Sequence, residues 1–239
     1  MSNDLFVYAD VPYEIKDFSF LEENPNHSIY FNEARNEAIF KRVDLIGADG
    51  KLVHDGDAQM VRANLFEKLL IPLLVKLSNY IPNGGIWMNT QRPEWNDANN
   101  ALAGFGTSMV TTYYISRYLD FIDSLLDKGQ DLKCFGSLKS LLDDLSGVFA
   151  EEPKELNKDS HIRYRAVEKL GKAGEQYRKN IYQGAFGAKK CINILELKAF
   201  IKNVQNHLQE ATRANLRSDG LYNAYNILHL DANEKLASI

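Results

Sequence analysis

The chain has 239 residues, of which 45% are hydrophobic, and a formal net charge of -4 at pH 7. These values are typical of one large or two small globular domains with a sizeable core. Lys/Arg and Asp/Glu are well mixed along the chain, so we expect no basic face that could neutralise many phosphates and no nucleic-acid partner.

The amino-terminal stretch "MSNDLFVYAD" has neither the basic region nor the apolar run of a signal peptide. The longest apolar run, residues 69–75, is far shorter than the roughly 20 residues that a membrane span needs. The two cysteines, Cys134 and Cys191, lack CxxC spacing and predict buried, reduced thiols. We therefore expect a cytoplasmic protein with no membrane partner.

The amino-terminal segment, residues 1–56, is predicted to be rich in loops because "ENPNHS" and "GADGKLVHDGD" supply turn residues. The short apolar run "HSIYF" lies among these turn residues. The run "AIFKRVDLIG" fits a strand or a short helix equally well. Residues 57–239 form a second unit, predicted to be helical.

Helical periodicity begins after Asp57, which is a candidate N-cap, and Pro72 predicts a kink inside this first helix. A second helix is expected to follow "IPNGG" and a loop, although Gly104 and Gly106 weaken its first turns. The segment "SDGLYNAYNILHL" ends the pattern with a short apolar run. The predicted class is mainly α, with the later helices at about 98–126, 137–150, 160–182 and 194–216.

The stretch "GGIWMNTQRPEWNDANNALAGFG", residues 84–106, contains groups suited to glycosidic-bond cleavage. That reaction needs a proton for the departing oxygen, a platform for the sugar and hydrogen-bonding partners. Carboxyls come from Glu94 and Asp97. The flat faces of Trp87 and Trp95 and the polar groups of Asn89, Gln91, Arg92 and Asn96 complete the set. A structural alternative is that Asp97 or Asn96 only caps the following helix, which contributes about 1 kcal/mol.

The decamer "PEWNDANNAL" resembles the Trp-Asn-Asp loop of the cellobiose-phosphorylase-type glycoside phosphorylases, whose usual form is Asp-Trp-Asn-Asp-Gly followed by Met-Asn. Glu94 stands where the family has Asp, and "DANN" replaces "DGMN". The resemblance implies an (α/α)6 toroid, a role for Asp97 as general acid and a sugar site lined by Trp95. "SDGLYNAYNILHL" is similar to a segment of the broader six-hairpin glycosidase class, which implies that Tyr222 lines a pocket; half-buried packing is the alternative.

The expected function is cleavage of an oligosaccharide or glycoside with inversion, by inorganic phosphate as co-substrate or by water. Trp87 and Trp95 would raise the pKa of Asp97 by desolvation, and Arg92 is a candidate for holding phosphate. No other cofactor is expected, and the histidine spacings do not indicate a metal site. A complete toroid has twelve helices and needs more than 239 residues, so for residues 57–239 the resemblance implies a partial toroid. The chain is then either a fragment of a larger polypeptide that forms the whole barrel or a reduced relative, and we expect the fragment. The alternative function is a non-catalytic helical carbohydrate-binding or assembly domain.

Overall fold

The computed structural model describes residues 3–56, 58–90, 97–126, 132–230 and 236–238. It is mainly helical. The helices are α1 (Phe18–Glu23), α2 (Glu33–Ile46), α3 (Leu65–Leu77), α4 (Asp97–Leu102), α5 (Met109–Ser124), α6 (Gly136–Phe149), α7 (Pro153–Leu156), α8 (Ser160–Tyr182) and α9 (Ile194–Ala214). None of the described helices has both the length and the apolar character needed to cross a bilayer.

Short antiparallel strands join the helices. The strands are β1 (Tyr13–Ile15), β2 (Ile29–Phe31), β3 (Tyr80–Ile81), β4 (Gly85–Trp87), β5 (Gly106–Ser108), β6 (Leu132–Phe135), β7 (Lys189–Ile192), β8 (Tyr225–Ile227), β9 (His229–Leu230) and β10 (Leu236–Ser238). One sheet has four strands in the order β3-β4-β5-β8, and the remaining strands pair as β1 with β2, β6 with β7 and β9 with β10.

The main core lies among α3, α5, α6, α8 and α9. Their apolar residues recur at helical spacing, so each helix buries one stripe against its neighbours. Leu70, Leu119, Leu145 and Val204 are each 0% exposed, and a fully buried aliphatic side chain contributes roughly 1.5–3 kcal/mol. The helix α3 continues through Pro72, which lies inside it.

The amino-terminal segment is more ordered than its turn residues predict. "AIFKRVDLIG" is helical and belongs to α2, where the Asn32 side chain accepts a hydrogen bond from the Arg35 backbone N–H. The short apolar run "HSIYF" contains β2. The division between residues 56 and 57 stays a prediction, and backbone hydrogen bonds join Phe6 to Ala63 across it.

Two helix boundaries differ from the prediction. The helix α3 begins at Leu65, where Asn64 and Glu67 form a reciprocal capping box; Asp57 lies outside the described residues. The predicted helix at 98–126 is two helices, α4 and α5, because β5 interrupts it between Gly106 and Ser108. The bounds of α8 are confirmed, and those of α6 and α9 agree within two residues.

The two cysteines occupy different environments. Cys134 is buried, as predicted, and burial raises the pKa of its thiol to about 12. Cys191 is exposed, so the prediction for this residue is wrong. Because side chains alternate along a strand, Ile192 takes the core-facing position of β7 and Cys191 faces outward.

Candidate functional site

The loop that carries "PEWND" is closed at its base by backbone hydrogen bonds. Met88, directly after β4, donates its N–H to the Gly106 carbonyl at 2.9 Å. Its carbonyl accepts from the Gly104 N–H at 2.6 Å. The chain therefore leaves the four-stranded sheet at Met88 and returns to the same point after α4.

Close packing at the return point requires glycine. Gly104 has φ +87°, and a Cβ there would lie 2.8 Å from Pro25. A Cβ on Gly106 would lie 2.7 Å from the Leu102 Cβ. These two glycines, which the sequence marks as weak points of a helix, let the loop return tightly against the sheet and the amino-terminal segment.

Trp87 belongs to the core. The side chain is 5% exposed and packs edge-on against Phe18, with ring centroids 6.3 Å apart. Its indole N–H donates to the Gly104 carbonyl at 3.0 Å. All three residues of β4 are buried, so both faces of this strand are covered and Trp87 presents no open face. Trp87 therefore has a packing role, and the expectation that it also lines a sugar site stays a prediction.

Polar side chains form hydrogen bonds within the four-stranded sheet, next to the base of the loop. Asn89 is 6% exposed and donates to Asn79 Oδ1 at 2.6 Å. The Gly84 carbonyl accepts from the Thr107 hydroxyl and from Asn226 Nδ2. These bonds satisfy buried polar groups and fix the loop base on a rigid support.

Asp97 is the first residue of α4. The remaining predicted loop residues, Gln91, Arg92, Glu94, Trp95 and Asn96, lie outside the described residues. The structure thus gives the anchoring of the loop and the helical start at Asp97.

Tyr222 lies at the other end of the sheet. It is 51% exposed, and its ring lies 6.1 Å from that of Tyr113 in an edge-on contact. Gly106, at the loop base, pairs with Ile227, whereas Tyr225 pairs with Ser108. Tyr222 precedes Tyr225, so the strand register places it away from the loop base, where Ile227 is the neighbouring exposed apolar residue.

A separate polar cleft lies beside β1 and β2. Glu14 lines it, is 7% exposed and accepts hydrogen bonds from Tyr30 Oη and, at 2.8 Å, from Asn32 Nδ2. The hydrogen bond to Glu14 is the main reason that the pKa of Tyr30 is raised. Arg35 Nη1 lies 3.6 Å from Glu14 Oε1 and forms an ion pair with it. These groups are spread along the sequence without a motif, so sequence reasoning missed them.

Within the described part of the chain, no group of three or more His, Cys, Asp or Glu side chains is placed to hold a metal ion. Comparison with known proteins adds no assignment. No protein-family model matches the chain, and neither does any curated protein.

Proposed function

We propose that this chain acts on a glycosidic bond, with Asp97 as the proton donor, either by itself or as part of a larger polypeptide. The observation that carries the proposal is the anchored loop. Residues that bind or react commonly lie on loops held by a rigid scaffold. Here the loop rich in Trp, Asn and carboxyl groups is closed by the bonds between Met88 and the two glycines.

The helical architecture is compatible with part of an (α/α)6 toroid. Long helices pack as neighbours in the pairs α5 with α9 and α6 with α8, as paired helices do in a helical array. We propose that these pairs form part of such a ring and that the loop before α4 lies at its mouth.

In the proposed reaction one proton is transferred, the glycosidic bond breaks and a new bond to the anomeric carbon forms. Asp97 gives its proton to the glycosidic oxygen as the bond from that oxygen to the anomeric carbon breaks. An oxygen of inorganic phosphate bonds to the anomeric carbon from the opposite face, which inverts its configuration. Arg92 holds the phosphate by charge-assisted hydrogen bonds, and Trp95 lies against the sugar. Gln91 and Asn96 bind sugar hydroxyls. With water as the nucleophile, a further carboxylate acts as base.

The test is turnover of a panel of disaccharides and aryl glycosides, with and without inorganic phosphate. Consumption of phosphate together with release of free sugar measures phosphorolysis, and release of sugar alone measures hydrolysis. Asp97→Asn keeps the size of the side chain but removes the transferable proton. We expect the turnover rate to fall by about 10²–10⁴-fold, the usual contribution of a general acid, while sugar binding measured by calorimetry is retained.

Asp44→Asn is the matched control because Asp44 is an exposed carboxylate on α2. It should leave turnover unchanged. Equal rates for Asp97→Asn and the wild type would contradict the assignment of Asp97. Saturable sugar binding without turnover by the wild-type chain would contradict an enzyme and favour the non-catalytic carbohydrate-binding or assembly domain.

A further inference from the structure

Helix α2 lies on the surface, and the rest of the chain holds only one stripe of it. Of its 14 residues one is buried, Ile39, which is 8% exposed. On the same side, Arg35 forms an ion pair with Asp10 at 2.7 Å, and Arg42 pairs with the other oxygen of that carboxylate at 2.5 Å. The opposite side of α2 therefore faces away from the described part of the protein.

The outward side of α2 is partly apolar. Phe40 is 60% exposed, Leu45 83% and Ile46 54%. Single exposed apolar residues are normal on a protein surface, but here three large ones lie within seven residues of one helix. The exposed Ala34 and Ala38 share a stripe with Leu45, at the spacing i, i+4, i+11. An interface on this side would remove apolar area from water.

The outward side also carries charges without partners. Both arginines of α2 pair inward, and the charged residues left outside are Glu33, Glu37, Lys41 and Asp44. None of these four takes part in an ion pair within the described residues. Glu37 and Lys41 even have the i,i+4 spacing at which opposite charges commonly pair on a helix. Charges of both signs are therefore available to a partner.

Helix α2 is complementary to a second copy of itself that runs antiparallel. With a two-fold axis at the level of Ile39, Glu37 of one copy lies opposite Lys41 of the other, and the symmetry makes this pair twice. Ala34 of one copy lies at nearly the height of Leu45 of the other. A small residue at that position leaves room for the leucine to pack against the facing helix.

The same geometry makes the expected dimer a weak one. The two helices are each about 21 Å long, so their contact is smaller than the roughly 800 Å² per partner of a standard stable interface. At both ends Asp44 of one copy comes near Glu33 of the other, and this like-charge contact also lowers the affinity. Association is therefore expected at micromolar concentrations.

We propose that the protein forms a symmetric dimer through the outward side of α2, with the two helices antiparallel and Glu37 of each copy paired with Lys41 of the other. Dimerisation does not depend on the proposed activity of Asp97.

Sedimentation equilibrium of the full chain over about 1–500 µM tests the proposal, with an expected dissociation constant of about 10–100 µM. Glu37→Lys and Lys41→Glu each replace two attractive contacts by two like-charge contacts in the symmetric dimer. Each should weaken the dimer at least about fivefold. The double variant exchanges the two charges, restores the pairing and should dimerise within about twofold of the wild type.

The apolar part of the interface has its own variant. Leu45→Ser should weaken the dimer at least about fivefold, because it removes an apolar side chain from the contact. Leu195→Ser is the matched control, since Leu195 is 70% exposed on α9, and it should dimerise like the wild type. All the substituted side chains are exposed, so urea unfolding of the monomer at low protein concentration should give wild-type midpoints.

A wild-type chain that stays monomeric up to about 500 µM would overturn the proposal. A dimer that neither single charge variant weakens would place the interface elsewhere and contradict the role of α2. A double variant as weak as the single ones would also contradict the proposal, because Glu37 and Lys41 would then not face each other across the interface.

Discussion

Glu67 is a fully buried carboxylate that joins distant parts of the chain. One oxygen accepts the Phe135 backbone N–H at 2.8 Å. The other accepts the Asn64 N–H at 2.9 Å and Lys189 Nζ at 2.7 Å. Glu67 therefore caps α3 and also fixes the hairpin of β6 and β7 against it. A buried charge is tolerated when every oxygen is paired in this way.

Glu67→Gln should destabilise the protein strongly. The substitution removes the negative charge opposite Lys189 and places an amide N–H₂ where an acceptor is needed. Removing one partner of a buried ion pair costs about 3–5 kcal/mol, and we expect the lower end because the Lys189 side chain is 21% exposed. Urea unfolding measures the loss. Glu168→Gln, which breaks a surface pair with Lys172, is the control and should leave the free energy of unfolding nearly unchanged. Similar losses in the two variants would contradict this role for Glu67.

The sequence contains the signal for this cap, in part. The tetrapeptide "NLFE" has the spacing of a capping box, with Asn64 three residues before Glu67, ahead of an apolar run. It locates the start of α3 better than Asp57 does. The other partners of Glu67 are far along the chain, so no local pattern predicts that its carboxylate is fully buried.

The packing of α8 against the amino-terminal segment depends on a single glycine. A Cβ on Gly171 would lie 2.1 Å from the ring of Phe18. Phe18 in turn packs against Trp87. This contact links α1, α8 and β4 in one small cluster beneath the loop that carries Asp97.

The same substitution in two helices should have opposite effects. Gly171→Ala forces the buried Phe18 ring to move, and such overpacking costs about 1–3 kcal/mol, more than the gain of up to about 1 kcal/mol in helix propensity. Gly147→Ala in α6 adds a Cβ that meets nothing within 4 Å, so only the propensity gain applies. We expect Gly147→Ala to stabilise and Gly171→Ala to destabilise the protein. Thermal unfolding of both variants is the measurement, and a stabilised Gly171→Ala would contradict the packing argument.

Local patterns predicted some elements better than others. The bounds of α8 follow from a long amphipathic period and from Asp159, whose side chain accepts the Ile162 N–H. The break between α4 and α5 depends on the pairing of β5 with β4 and β8. The β8 strand lies more than a hundred residues further along the chain, so this pairing leaves no local periodic signal.

The candidate site likewise has features that the local sequence predicts and features that depend on distant contacts. The chemistry of the "PEWND" loop is visible in the sequence because its residue types are adjacent. The burial of Trp87 is not visible in the sequence, because it results from contact with Phe18, far away in the chain, and from the packing of other elements on both faces of β4.

The stability of the whole molecule should depend on pH through His207. This residue of α9 is 1% exposed and forms a 2.9 Å hydrogen bond between its Nε2 and the Glu151 carbonyl. Its ring packs against those of Tyr80 and Phe149. Desolvation by burial lowers the pKa of His207 below its ordinary value of 6.5. The folded protein therefore binds this proton less readily than the unfolded chain does.

The sign of the pH dependence follows from linkage. A depressed pKa contributes stability that is present above the unfolded pKa, about 6.5, and is lost as the pH falls toward the folded pKa. Between pH 7 and pH 5, His207→Gln should therefore lose less stability than the wild type, by at most about 1.4 kcal/mol per pH unit. Urea unfolding across this range gives the slope. His161→Gln, at an exposed position of α8, is the control and should keep the wild-type slope. A wild-type slope in His207→Gln would show that His207 is not the group responsible.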